Sequence, residues 1–159
     1  MSRRLPPLNA LKAFEAAAPD RISASWGHAS GINIAGINPQ TGEQYVTMGR
    51  ASNISGAGAT QVMDGWHACG PLCCFGALSS GDIELLEYQY PILIHKYGLV
   101  EDSGGAGRQR GGCGTEWQVE PLNHEMTVIA FGEGRQIATM GAAGAEDKLP
   151  ERKLGRLSI

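Results

Sequence analysis

One glycine-rich stretch in the second half of the chain decides how the rest is interpreted: residues 102–112 read Asp-Ser-Gly-Gly-Ala-Gly-Arg-Gln-Arg-Gly-Gly. The stretch places five glycines and two arginines between two strand-like segments, residues 92–97 and 115–119. Glycine adopts positive φ angles without steric cost and lets another backbone or an anion come close. We therefore expect a sharply turning loop between two strands, with at least one of Gly104, Gly105 and Gly107 at positive φ.

Two interpretations of this loop follow from its residue types. The guanidinium groups of Arg108 and Arg110, together with successive backbone N–H groups, could hold a phosphate or a carboxylate of a substrate. Alternatively, the two arginines grip an acidic surface of a partner subunit or of this domain, and the glycines only let the chain turn. We favour the second interpretation because glycine-rich loops are common turn elements. With Asp102, these residues form the candidate substrate or interface loop.

The composition indicates a single globular domain in which loops dominate. The chain has 159 residues, of which 42% are hydrophobic, 6% are aromatic and 23 are glycine, and this glycine content is about twice the usual share of roughly 7%. A formal net charge of −3 gives no reason to expect binding to nucleic acid or to a membrane surface. No apolar run approaches the ~18 residues of a spanning helix, and no secretory signal is visible. We expect a cytoplasmic protein with reduced cysteines.

Sequence patterning predicts an α+β, β-rich fold with long glycine-rich loops. Helices are expected at residues 10–18, where Pro19 ends the helix, and at residues 83–88. Strands are expected at residues 21–25, 31–35, 43–48, 92–97, 115–120 and 126–131. Residues 49–81 read mostly as loop, and so long a loop in a compact domain tends to be functional. All 159 residues are assigned to one domain, with residues 1–9 and 146–159 peripheral.

The strongest metal-like group in the sequence lies in this long loop: His67, Cys69, Cys73 and Cys74. Imidazole and thiolate are ligands that zinc prefers, but structural zinc sites usually contain two separated ligand pairs. Cys113 or His95 would have to supply the remaining ligands. Two alternatives stay open, because the cysteines could pack as small apolar residues, or one could be a catalytic thiolate beside a histidine base.

Asp82 and Glu84 are the candidate acid–base pair. Their position at the start of the second predicted helix also suits an N-cap and a favourable interaction with the helix dipole. A pair of carboxylates could alternatively exchange protons with a substrate. Among the remaining histidines, His95 is expected to face inward from its strand, while His28 and His124 are expected to be solvated.

Several motifs in a consistent order resemble the C-terminal part of the hydantoinase B/oxoprolinase family. They are Pro19-Asp20-Arg21, Gly36-Ile37-Asn38-Pro39-Gln40-Thr41-Gly42, Leu85-Leu86-Glu87, Tyr90-Pro91 and the stretch at residues 102–112. The resemblance runs from about residue 11 to about residue 145. Because family members are several times longer, the chain resembles only their C-terminal portion.

This resemblance implies a subunit of a hetero-oligomeric enzyme that hydrolyses a small cyclic amide, such as hydantoin or oxoproline, with ATP. A hydantoinase A-like partner would bind ATP and phosphorylate the carbonyl oxygen of the substrate. The hydantoinase B part would complete the reaction at a divalent metal, zinc or manganese. That metal would be held mostly by a hydantoinase B N-terminal-like partner.

Two other functions remain open at the level of sequence. The motif Gly81-Asp82-Ile83-Glu84 resembles a motif of the related acetone and acetophenone carboxylase subunits. This resemblance points to ATP-dependent carboxylation of a ketone. The family's C-terminal metal-binding histidine is missing from its expected window at residues 73–78, and His67 lies several positions earlier. The chain could therefore also be a non-catalytic assembly subunit whose active site lies on partner chains.

Overall fold

The computed structural model describes residues 10, 13–28, 30–48, 54–74, 76–132 and 141–142. Their elements, in chain order, are β1 (Ser30–Ile37), β2 (Gln44–Met48), a 3-10 helix (Leu72–Cys74), α1 (Ile83–Gln89), β3 (Ile92–Leu99), β4 (Thr115–Pro121) and β5 (Met126–Gly132). This confirms a β-rich fold with few helices. The predicted peripheral ends, residues 1–9 and 146–159, lie outside the described residues. No helix in the described part is long and apolar enough to cross a membrane.

Antiparallel pairing arranges the strands in two sheets, one of order β2-β1-β5 and one of β3 with β4. The last strand in the sequence returns to pair along nearly the whole of β1, from Ser30 opposite Gly132 to Gly36 opposite Met126. Strand β2 pairs with the other edge of β1. The tight turn between β1 and β2 uses Gly42 at a φ of 73°, a conformation that glycine adopts without strain.

The two sheets and the helix meet in a small core. Its buried members are Ile34, Leu86, Ile92 and Trp117. Half-buried side chains packed against them include Ile32, Tyr45, Tyr90, Ile94, Tyr97, Val119, Met126 and Val128. Ile34 and Ile92 are each only 1% exposed. Ile34 therefore identifies the inner face of the three-stranded sheet, which includes the residues on the same side of the pleat.

Helix α1 is short but anchored at both ends. The carboxylate of Asp82 accepts a hydrogen bond from the Leu85 N–H at 3.1 Å, which confirms the predicted N-cap. The Tyr90 N–H donates to the Leu86 carbonyl at 2.9 Å, and Pro91 follows at once. The Glu87 carboxylate accepts from the Ile94 N–H at 2.7 Å and thereby ties the helix to β3.

Two predictions near the N-terminus have different outcomes. Ala10 and residues 13–15 are helical, which confirms a helix here, although residues 11–12 lie outside the described part; the helix ends at residue 15 and not at the predicted residue 18. The predicted strand at residues 21–25 was wrong. That segment runs beside residues 56–59, and its Ala24 N–H donates to the Ala59 carbonyl at 2.7 Å. No strand is formed at residues 21–25, and the Ala24 carbonyl lies so close to Gly58 that a Cβ atom there would be 1.9 Å from the carbonyl oxygen.

The prediction that His95 faces inward was also wrong. Ile92 and Ile94 face the core, and strand alternation therefore places His95 on the opposite, exposed face. A bulge interrupts the register between Ile94 and Lys96. The Nε2 atom of His95 lies 2.5 Å from a carboxylate oxygen of Glu120 on β4.

The remaining two histidines are more enclosed than predicted. The Tyr45 hydroxyl bonds to His124 Nε2 at 2.6 Å, and His124 Nδ1 bonds to the Leu122 carbonyl at 3.0 Å. Because a carbonyl only accepts, Nδ1 carries the proton and Nε2 accepts from the hydroxyl. His28 Nε2 is buried without a hydrogen-bond partner in the described part of the chain. Neither ring is freely solvated.

Tyr45→Phe is expected to lower the free energy of unfolding by about 1 kcal/mol, because His124 Nε2 loses its donor. Tyr88→Phe is the matched control, since Tyr88 is 87% exposed, and should leave stability unchanged. Urea denaturation followed by circular dichroism measures both variants. Equal losses in the two variants would contradict the expectation.

The same variant tests a pH dependence. Burial raises the pKa of Tyr45 above its ordinary value of 10.0, so the folded state holds the hydroxyl proton more tightly than the unfolded state. The resulting stabilisation is present below that ordinary value and is lost as the pH rises through the raised pKa. In alkaline titrations, wild type should therefore lose more stability than Tyr45→Phe.

Candidate functional site

Two glycine-rich segments, residues 54–70 and 102–114, cross at the end of the β3–β4 sheet, and we call them together the glycine crossing. Thr115 anchors the two segments where β4 begins. Its side-chain hydroxyl oxygen accepts from the Ile54 N–H at 2.7 Å, and its own N–H donates to the Ile54 carbonyl at 2.8 Å. Thr115 is buried, with 8% of its surface exposed. The first segment is therefore fixed to the sheet.

Backbone hydrogen bonds then hold the segments together along their length. The Gly112 N–H donates to the Ala57 carbonyl at 2.9 Å, and the Ala57 N–H donates to the Trp66 carbonyl at 2.8 Å. The Gly65 N–H donates to the Arg110 carbonyl at 2.7 Å. The backbone at residue 57 is thus hydrogen-bonded to the backbone at residue 66 and at residue 112. This arrangement gives the exposed side chains of the crossing a rigid base.

The glycines are needed because these backbones almost touch. A Cβ atom built on Gly112 would lie 2.0 Å from the Trp66 carbonyl oxygen, and one on Gly56 would lie 2.1 Å from the Gly112 oxygen. A Cβ on Gly104 would lie 2.1 Å from the Gly111 oxygen. Side-chain carbon atoms do not approach backbone oxygens this closely. Close contact between chain segments, and not backbone conformation, therefore explains these glycines.

The prediction of positive φ in the glycine/arginine loop was wrong for all three residues. Gly104, Gly105 and Gly107 are outside the left-handed region, and the positive φ of this loop, 55°, belongs to Asp102. Asp and Asn tolerate this conformation better than most residues with a side chain. The chain reversal that we assigned to a glycine is thus made at Asp102.

The two arginines of the loop have different surroundings. The Arg110 guanidinium forms an ion pair with the Asp102 carboxylate, and the Arg110 N–H donates to an Asp64 carboxylate oxygen at 2.8 Å. Arg108 is exposed and makes no ion pair or hydrogen bond with the described part of the chain. The acidic groups that Arg110 grips therefore belong to this domain, whereas Arg108 remains available.

The glycine crossing also contains exposed aromatic groups, and backbone donors without a partner among the described residues. The N–H groups of residues 105–108 make no hydrogen bond within the described residues. Trp66 is 66% exposed. His67 is exposed, and its Nδ1 accepts from the Cys113 N–H at 2.8 Å, which leaves the proton of the neutral ring on Nε2. Such a set of donors suits an anion or a polar carbonyl compound.

The candidate metal group is not assembled by its described members. His67 Nδ1 is occupied by the Cys113 N–H. The buried Cys69 thiol donates to the Trp66 carbonyl at 3.5 Å, and burial raises the pKa of this thiol, which disfavours the thiolate that binds metals. Cys74 is half-buried, and the side chain of Cys73 lies outside the described residues.

In the described ranges, no group of three or more His, Cys, Asp or Glu residues could hold a metal ion. Those residues therefore do not fit a metal site by themselves, and metal binding by the full group stays a prediction. The catalytic role of Asp82 and Glu84 also stays a prediction. Both side chains are exposed at the start of α1, and the Asp82 carboxylate caps the helix.

Sequence reasoning missed two residues that organise the site. Asp64 binds the backbone of Arg110 from 46 positions away, and Thr115 binds Ile54 from 61 positions away. Neither residue has a local sequence signal, because its role depends on a distant backbone group. Only the crossing of the two segments brings these partners together.

Comparisons with known proteins agree on one family. The family model described as hydantoinase B/oxoprolinase matches residues 9–157. Caprolactamase subunit beta of Pseudomonas jessenii is 68% identical over 146 residues, which are 91% of this chain and 25% of that protein. Acetophenone carboxylase delta subunit of Aromatoleum aromaticum is 32% identical over 120 residues, which are 73% of this chain and 17% of that protein.

A solved structure shows the same relationship. The crystal structure of the ATP-dependent caprolactamase from Pseudomonas jessenii matches with a TM-score of 0.74 and 61% identity, over 88% of this chain and 24% of that chain. This chain thus spans about a quarter of the length of the caprolactamase subunit. Because the family match extends over nearly every residue, including both segments of the glycine crossing, this chain belongs to the hydantoinase B/oxoprolinase family.

Proposed function

We propose that this chain is part of an ATP-dependent enzyme that hydrolyses a cyclic amide. The observation that carries the proposal is the 68% identity to caprolactamase subunit beta, compared with 32% to acetophenone carboxylase delta subunit. The carboxylase-like motif at residues 81–84 does not outweigh this difference in identity, because the helix cap already explains Asp82. Amide hydrolysis is therefore favoured over ketone carboxylation and over a purely structural role.

The proposed assembly contains further polypeptide. A hydantoinase A-like subunit would bind ATP and phosphorylate the carbonyl oxygen of the substrate. A hydantoinase B N-terminal-like part would supply most ligands of a divalent metal. The short match, 25% of the related caprolactamase subunit, supports this division, since the greater part of that protein lies beyond the matched region. ATP use also supports a location in the cytoplasm.

Within this assembly, we assign the glycine crossing to contact with the substrate or with the subunit that delivers it. Phosphorylation of an amide oxygen creates an anionic group, and guanidinium and backbone N–H donors stabilise such groups. Arg108 and the N–H groups of residues 105–108, which have no partner among the described residues, provide both kinds of donor. Arg110 instead holds the loop in shape through Asp102.

Reconstitution tests the proposed reaction directly. The chain is combined with the hydantoinase A-like and remaining hydantoinase B-like polypeptides, and caprolactam ring opening is followed by mass spectrometry together with ADP release. We expect ring opening that needs ATP and stops when this chain is omitted. In parallel, ¹³C-bicarbonate is supplied with acetophenone. Incorporation of label without lactam opening, or lactam opening at full rate without this chain, would contradict the proposal.

A further inference from the structure

One face of the three-stranded sheet is exposed and uncharged. Ile34, Tyr45 and Val128 pack against the core, so strand alternation turns their neighbours outward. The outward residues of the three strands are Gly31, Asn33, Ala35, Ile37, Gln44, Val46, Met48, Thr127, Ile129 and Phe131. We call this surface the outer face. None of its residues is charged.

The large side chains of the outer face are exposed and adjacent. Val46 is 67% exposed, Met48 is 59% exposed and Ile129 is 58% exposed. Met48 and Ile129 flank the same residue of the central strand, Asn33, from its two sides. The Phe131 ring lies directly over Gly31, where a Cβ atom would come within 2.4 Å of the ring. Together with Asn33 between them, these side chains form an uncharged, largely apolar surface, which proteins rarely leave in water.

The second sheet of the same chain provides the contrast. On the exposed side of the β3–β4 sheet, Lys96 forms an ion pair with Glu116, and the carboxylate of Glu120 lies beside the His95 ring. Cross-strand charge pairs are typical of a sheet face that meets water. The chain therefore places charges where a sheet is solvated. Their absence from the outer face indicates that this face is covered in the assembled protein.

We infer that the outer face docks the part of the hydantoinase B-type fold that relatives carry beyond the region matched by this chain. The caprolactamase structure contains the matched region as 24% of a longer chain, so the fold has a large further portion to place against it. This uncharged, largely apolar surface favours a partner surface of the same kind, and it offers no counter-charge to an acidic peptide, a nucleic acid or a lipid headgroup. The identity of this partner rests on the proposed function.

Charge insertion at the interface tests the inference. The chain is co-expressed with a polypeptide that carries the remainder of the caprolactamase β subunit, and the pair is purified through a tag on one member. Val46→Asp and Ile129→Asp should weaken association by about ten-fold or more, because each buries an unpaired carboxylate. Gln118→Asp, at an exposed position of β4, is the matched control and should co-purify like wild type.

A second measurement needs no variant. Met48 and Met63 are similarly exposed in the chain, at 59% and 51%, but Met63 lies in the glycine crossing. Mild peroxide oxidation followed by mass spectrometry should show that Met48 is protected by about ten-fold in the complex, because burial excludes the oxidant. Met63 should be oxidised at the same rate with and without the partner.

Each other outcome overturns the inference. A dimer of this chain alone that Val46→Asp converts to monomer would assign the outer face to a second copy. Equal association of the aspartate variants, unchanged Met48 oxidation in the complex, or failure of the wild-type pair to co-purify would remove the proposed partner. Association and oxidation do not depend on turnover, so these results stand separately from the test of amide hydrolysis.

Discussion

Gly112→Ala is expected to destabilise the chain by about 3 kcal/mol or more, because overpacking here displaces backbone and not a flexible side chain. The new methyl group would lie 2.0 Å from the Trp66 carbonyl oxygen and 3.1 Å from the Ala57 nitrogen. Both of these residues take part in the backbone hydrogen bonds that hold the crossing together. Relief of the clash would therefore break those bonds as well.

Gly105→Ala is the matched control in the same loop. No atom of the described residues lies within 4 Å of a Cβ atom built on Gly105, and its φ is outside the left-handed region. Alanine there should leave stability unchanged or raise it by about 0.4–1 kcal/mol, since it restricts the unfolded chain. Urea denaturation of both variants gives the comparison. A Gly112→Ala variant as stable as wild type would show that the two segments can separate without cost.

The elements of the fold were predictable where their signals are local. The strand expected at residues 43–48 is Gln44–Met48, and the helix expected at 83–88 is Ile83–Gln89. Alternating apolar residues and a capping aspartate act over a few positions, so no knowledge of distant contacts is needed. Family membership was predictable for a related reason, because the order of several short motifs can be read without the fold.

Contacts between distant segments could not be predicted. The pairing of β1 with β5 joins the first and last strands of the described chain, and patterning within one strand does not identify its neighbour. The roles of the glycines at 104, 105 and 107 could not be predicted from the sequence either. A glycine retained for backbone contact and a glycine retained for positive φ look identical in sequence, and only the position of Gly111 distinguishes them at Gly104.

The candidate site was likewise predictable only in its local features. The glycine/arginine loop was identified, but the different surroundings of its arginines were not, because Asp64 lies in another segment. Burial of the Cys69 thiol likewise depends on contacts that the cysteine spacing does not reveal. The metal group and the catalytic role of the Asp82–Glu84 pair stay predictions, whereas the predicted helix cap at Asp82 is confirmed.

Arg108→Ala is expected to lower turnover of the assembled enzyme by about 10- to 100-fold, the effect of losing one charge-assisted hydrogen bond of 1.5–3 kcal/mol. The Arg108 guanidinium is exposed and is not engaged by the described part of the chain, so its removal should leave this domain stable. Steady-state kinetics with a lactam and ATP measure turnover. Size-exclusion chromatography of the same sample shows whether the complex remains intact.

Arg110→Ala separates a substrate role from an effect on the loop. Its guanidinium is bound to Asp102 in an exposed ion pair, and such pairs contribute about 0–1 kcal/mol. We therefore expect Arg110→Ala to change turnover by less than about five-fold, which is the kinetic equivalent of that energy. If Arg108→Ala dissociates the complex and turnover falls only in proportion, Arg108 binds a partner subunit. If the complex stays intact and turnover falls for Arg108→Ala alone, the loop binds the reacting molecule, because Arg108 is the arginine whose guanidinium is not already engaged within the described domain.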